Sequence, residues 1–269
     1  MYHDVVPAGA EDASGFPGRD AALYKVTPEQ FADHLDAVAG IAPDLSDLPD
    51  LPDLPDPRRQ AAPPITFDDG GVSAMTAADL LEARGFIGHF FVTANYIGTP
   101  GFVSEQDIRE LARRGHVIGS HSCSHPLRMG HCSWPQLVTE WTESRAVLCD
   151  ILGADVRVAS VPGGDFAPQV AKAAAQAGIT TLFTSEPTRA SQQAFGLTLH
   201  GRFTIQKWTT ADTAAGLAAG RWLPCARQAA LWTAKKLTKR VGGERYLQLR
   251  RLLLRHGTEV QWGDRSGTT

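Results

Sequence analysis

The chain predicts an α/β domain whose parallel strands close, or nearly close, into a barrel, and three observations carry that expectation. Apolar runs of strand length alternate with amphipathic helical stretches through the first 220 residues, the pattern of strands joined by right-handed crossovers. The repeats number about seven, more than most open sheets use. The residues with the most chemistry also cluster after strands: Asp68-Asp69, then His121 and His125, then Pro162-Gly163-Gly164. A doubly wound open sheet is the alternative, but no G-x-G-x-x-G follows any strand to support its commonest cofactor-binding form.

The elements follow in order. Tyr2–Val6 is a short apolar run. Thr27-Pro28-Glu29 opens a helix, with a capping hydroxyl before a proline and Phe31, Leu35 and Val38 on one face. Ile65–Phe67 reads as a strand, Ala74–Arg84 as a helix and Ile87–Val92 as a strong strand. Ser104, three residues before Asp107, caps a helix to Arg114. After it come strand His116–Ser120, helix Pro135–Leu152, strand Val156–Ser160, helix Pro168–Ala177 and strand Ile179–Thr184. A last barrel strand falls near Leu197–Ile205, with a helix after Thr209. The barrel is thus expected over residues 1–222, interrupted at 43–64 by a Pro/Asp-rich stretch. Its prolines, every third residue, forbid a helix and favour an extended, solvated loop.

Residues 223–269 are expected to form a basic helical tail, helical over Ala226–Val241 and Glu244–His256 with a Gly242-Gly243 break. Between Pro224 and His256 nine Lys/Arg face one acid, Glu244, a charge of +8. The whole chain of 269 residues carries −3, so the remainder carries −11. An acidic body excludes nucleic acid as a partner, whereas the tail is suited to peripheral docking on an anionic membrane or a lipid-linked glycan. The four cysteines form no CxxC pair and read as reduced thiols. With neither a basic-then-apolar leader nor a run of ~18 apolar residues, the expected location is cytoplasmic, with membrane-peripheral docking through the tail.

Three motifs carry the chemistry. In Ile65-Thr66-Phe67-Asp68-Asp69-Gly70 two adjacent carboxylates sit where a strand ends. Successive side chains of a strand point to opposite sides, so one acid can bind a metal while the other faces substrate; an ordinary Asp-Gly turn is the plain alternative. His121 and His125, four apart in a Ser-rich loop, suit a single metal ion. Gly163 and Gly164 let the backbone approach a ligand and present N–H groups to an anion. Two histidines and a carboxylate make a three-ligand set that leaves a position open for water, the catalytic rather than the structural arrangement.

At this point the sequence resembles the polysaccharide deacetylase family, also known by NodB homology. Thr66-Phe67-Asp68-Asp69-Gly70 is similar to the family's first signature, and Gly115-His116-Val117-Ile118-Gly119-Ser120-His121 running into His125-Pro126 to its second. Met1-Tyr2-His3 resembles an early Tyr-His, and Pro162-Gly163-Gly164 a variant third motif. The resemblance spans roughly residues 1 to 208 and implies a distorted barrel that removes acetyl groups from amino-sugar polymers. It makes Asp69, His121 and His125 ligands of a divalent ion, expected to be zinc, and Asp68 the general base. It gives Gly163 the oxyanion-stabilising N–H and places His3, Pro162 and Gly164 along the substrate. Two departures stand out. Where many members have an Arg that braces the base, this chain has Ser160; and the late Leu-His that supplies a general acid has only Leu199-His200 as a counterpart. The rival readings are hydrolysis of another non-peptide C–N bond on the same barrel, and a sugar-binding relative with impaired turnover.

Overall fold

The structure, a computed structural model, describes residues 1–41 and 64–234. Most of the Pro/Asp-rich stretch, and the tail beyond residue 234, lie outside the described residues.

Parallel strands in sequential order form the frame. The main sheet runs β3 (Ile65–Phe67), β4 (Gly88–Val92), β5 (Val117–Ser120), β6 (Val158–Ser160), β7 (Thr181–Phe183), β9 (Leu197–His200), β8 (Ser191–Ala194). All neighbours pair in parallel except β8, which folds back on β9 as an antiparallel edge hairpin. Sequential order is that of a curling barrel and excludes a doubly wound sheet, whose strand order reverses at a switch point. The sequence anticipates all of these strands but β8, whose polar Ser-Gln-Gln carries no apolar alternation. It also misses β2 (Lys25–Val26), which pairs with β1 (Asp4–Val5) in a small separate ribbon.

Chain ends that are distant in sequence meet along a seam. Tyr2 bridges in parallel to Phe67, donating its N–H to Thr66 O and accepting from Asp68 N. On its other side Ile205 N donates to Met1 O, and Met1 N to Phe203 O. The expected strand to Ile205 stops at His200, yet residues 201–205 continue alongside: Arg202 N bonds Glu186 O before the contacts to Met1 begin.

Helices cover the outside: α1 (Arg19–Ala22), α2 (Pro28–Ala39), α3 (Ala74–Glu82), α4 (Glu105–Arg113), α5 (Trp134–Leu152), α6 (Pro168–Gln176), α7 (Ala211–Ala219) and α8 over 222–234. Helices α2 and α4 start with the capping box, in which Thr27 with Gln30 and Ser104 with Asp107 each exchange side-chain and backbone bonds. The core lies between sheet and helices in two clusters, one around Phe31, Phe67, Phe90, Leu81 and Ile108, the other around Trp141, Leu182 and Val170. Helix α8 lies against the last barrel segment, where Gln228 pairs both backbone groups of Thr204.

Candidate active site

Strand alternation decides which side chains enter the barrel. Along β3, Phe67 faces outward and stacks on Phe90 at 4.8 Å, which turns Thr66 and Asp68 inward. Asp69, just past the strand, adopts φ 77° and so swings its carboxylate back to the same rim. The loop after β5 does the equivalent for two rings, with Ser122 at φ 65° and His125 at φ 58°. These are three of the four non-glycine residues with positive φ among the described residues; Phe195, in the edge hairpin, is the fourth. Such backbone costs about 1–3 kcal/mol per residue and gathers at functional sites.

These turns bring Asp69, His121 and His125 together. His121 Nε2 and His125 Nε2 lie 3.3 and 3.4 Å from Asp69 Oδ1, and one ligand atom from each residue falls within 4.8 Å of the others. Metal–ligand bonds of ~2.0–2.1 Å at tetrahedral angles separate donor atoms by about 3.3 Å, so the donor set fits a divalent ion. The outer nitrogen of His121 is engaged, with Nδ1 2.5 Å from Ser160 Oγ and 3.2 Å from Ser160 O, which leaves Nε2 as the coordinating atom. Burial opposes ionisation of Asp69, but the two histidines hold its carboxyl well below the ordinary value. For His125 burial pushes down, and Asp69 more than offsets it.

Asp68 stands beside this cluster, 3% exposed. Arg202 grips it with both ends of its fork, Nη1 to Oδ1 at 2.7 Å and Nη2 to Oδ2 at 2.8 Å. Arg202 is itself fixed by Thr66 Oγ1 and Thr184 O, both at 3.1 Å, and packs on the adjoining rings of Phe91 and Phe183. Ser160 Oγ donates to Asp68 Oδ1 at 3.1 Å, so one hydroxyl touches both the base candidate and a ligand histidine. Burial alone would raise the Asp68 pKa, but Arg202 and His121 bring it down to about 2. The anion is therefore the resting form.

The brace that third-motif Arg residues supply elsewhere thus reaches Asp68 from the segment after β9. A single Arg among the apolar residues of Gly201-Arg202-Phe203-Thr204-Ile205 is the sequence signal, since a buried guanidinium is rare unless paired. The other expected site residues are placed as follows. His3 packs against Tyr24, the rings tilted with centroids 5.0 Å apart, and lies in the fields of Asp69, Asp68 and His121. Its Nδ1 is buried with no hydrogen-bond partner. Pro162, Gly163 and Gly164 form one 3₁₀ turn on the rim. Gly163, at φ 61°, sits so near Leu127 O that a Cβ there would be 3.1 Å away. His200 is not drawn into the cluster: its Nδ1 is 2.8 Å from Ser191 Oγ and its ring stacks on Phe183 at 5.0 Å.

Residues 57–182 match the family model described as polysaccharide deacetylase. Just under half of the chain is thus similar to the polysaccharide deacetylase family. YxkH of Bacillus subtilis (strain 168), which carries a polysaccharide deacetylase assignment, is 28% identical over 137 residues, covering 51% of this chain and 49% of that protein. The chain thus spans about half the length of that curated relative. Among solved structures, the Streptococcus pyogenes deacetylase PplD aligns with a TM-score of 0.63 at 19% identity, over 81% of this chain and 96% of that one. The de-N-acetylase from Aggregatibacter actinomycetemcomitans aligns at 0.62 and 18%, over 80% and 97%. At such identities the structural likeness establishes the fold, a curled β/α barrel common to these deacetylases.

Proposed function

We propose that this chain is a polysaccharide deacetylase, a divalent-metal-dependent hydrolase that removes N-acetyl groups from an amino-sugar-containing polysaccharide or oligosaccharide. One observation carries the reading: an Asp-His-His donor set of tetrahedral spacing with a second, braced carboxylate beside it. Zinc is the ion that two imidazoles and one carboxylate suit, and when bound it lowers the pKa of water and polarises a carbonyl.

The remaining chemistry belongs to the chain. Asp68, held ionised by Arg202, takes the proton from the attacking water. The Gly163 N–H is assigned to the oxyanion, where one donor is typically worth about 3–4 kcal/mol. The expelled amine needs a proton, and His3 is better placed to meet it than His200. For His3 burial lowers the pKa and the fields of both carboxylates oppose that lowering, while His200 is occupied by Ser191. Pro162 and Gly164 shape the rim on which the sugar lies. Arg202 also counts against an impaired sugar-binding relative, because mere binding does not require a clamped second carboxylate.

The tail is read as a docking element for anionic lipid phosphates, supported by the exposure of Trp222, Leu223 and Leu231 on α8, where the basic stretch begins. No helix among the described residues is long and apolar enough to cross a membrane.

The test is acetate release from N-acetylglucosamine oligomers and from small cyclic amides, before and after removal of metal by a chelator. Metal-dependent release from the oligomers is expected, with Asp69→Asn and His125→Ala proteins purified without zinc. Turnover of the cyclic amide alone, or full zinc content in both variants, overturns the proposal.

A further inference from the structure

The loop that carries both histidines is held in its shape from outside. Two of its residues, Ser122 and His125, are non-glycine residues in the left-handed region, a conformation that persists only where the surroundings over-determine it. Ser122 Oγ accepts from His125 N at 3.1 Å, which closes the loop on itself. The stronger restraint comes from Glu140, on α5. Its Oε2 accepts the backbone N–H groups of Cys123 and Ser124, both at 2.8 Å, and its Oε1 accepts from Ser124 Oγ. Three donors from two consecutive loop residues thus converge on one carboxylate, and hydrogen bonds to an ionised acceptor are the stronger kind. Glu140 lies between the two histidines in effect: its clamp falls on the pair of residues that separates Ser122 from His125.

We infer that Glu140 is a positioning residue of the metal site: it pre-forms the His121–His125 loop and thereby sets the affinity for the ion. The inference rests on the metal-dependent reading of the site. Glu140 touches neither ligand ring, and it acts on the backbone that aims them. Outer-sphere partners of metal ligands typically change affinity by 10–100-fold when removed, and a preformed site spares the binding step the work of ordering the loop. Glu143, one turn on, lies near the same loop, but its reach to Cys123 Sγ is 3.8 Å and it takes no backbone donor. It is the natural control.

The experiment measures zinc affinity of the apoproteins by competition with a chromogenic chelator, alongside their thermal midpoints, for wild type, Glu140→Ala, Glu140→Gln and Glu143→Ala. Glu140→Ala is expected to bind zinc about 10–100-fold more weakly. Glu140→Gln, which keeps an acceptor without the charge, should fall between it and wild type, and Glu143→Ala should match wild type. If Glu140→Ala fails to fold, Glu140→Gln decides alone. A lowered midpoint with unchanged zinc affinity makes Glu140 a fold residue only and overturns the inference. Equal losses in Glu143→Ala do the same, since acidity near the loop would then suffice. A wild-type protein that binds no zinc refutes instead the metal-dependent reading.

Discussion

Replacing Arg202 by Met keeps much of the side-chain volume against Phe91 and Phe183 but removes both guanidinium donors to Asp68. The carboxylate is left buried with Ser160 Oγ as its one remaining side-chain donor among those described. Breaking a buried pair from one side typically costs about 3–5 kcal/mol. A second route gives a similar scale: a fall in the Asp68 pKa from 3.8 to about 2 corresponds to about 2–3 kcal/mol favouring the ionised form. Because the folded value is the depressed one, this stability is present above about pH 4 and is lost as pH falls toward 2. Without Arg202, burial pushes the carboxyl up, so the base protonates at higher pH. The expected outcome for Arg202→Met is lower stability in urea, a loss of about 10²-fold in kcat at neutral pH, and an acid limb of the pH profile moved upward. Arg202→Lys, which keeps the charge and loses the fork, should fall between the two. Acetate release followed from pH 4 to 9 measures both rate and limb. If Arg202→Met retains parental kcat with an unmoved acid limb, Arg202 does not hold the base.

Asp68→Asn is expected to retain zinc by elemental analysis while losing about 10²–10⁴-fold in turnover, because it removes a base and not a ligand. For the leaving group, His3→Ala should slow acetamide substrates far more than activated esters, whose leaving groups need little protonation, and His200→Ala should slow both alike or neither. The reverse pattern returns the acid role to His200. For the tail, full-length protein should bind anionic vesicles with an affinity that falls steeply with salt, since exposed charges are screened beyond about 8–10 Å at physiological ionic strength. Absent or salt-independent binding removes the docking role.

The barrel was legible because its signal is periodic: strands such as Ile65–Phe67 and Gly88–Val92 are apolar runs bounded by helix caps, and local chemistry fixes both. The cluster of Asp69, His121 and His125 was legible because its residues come in short local motifs, Asp69 at a strand end and the two histidines four apart. What was hidden depends on contacts that spacing does not encode. Arg202 meets Asp68 from 134 residues away, across a seam that exists only when the barrel closes. Ser160 read as a loss at the third motif, yet it lies between Asp68 and His121, with the missing charge supplied from the segment after β9. The Lys25–Asp4 ion pair was equally unreadable. Lys25, 4% exposed, also donates to Glu11 O and Phe16 O, fixing the loop that sets Phe16 against His125 at 4.8 Å.

The seam also bears on how the molecule is made. Met1 and Tyr2 join Phe203 and Ile205 only after the entire barrel has been synthesised, a closure over 202 residues of chain. Non-local pairing of this kind slows folding, because loop-closure entropy is lost before the contacts repay it. Arg202 belongs to that last-arriving segment, so a chain whose early strands have already gathered the two histidines and Asp69 still lacks the clamp on Asp68. On the proposed reading, such a chain can hold an ion before its base is braced, and competence waits for the final stitch of the barrel.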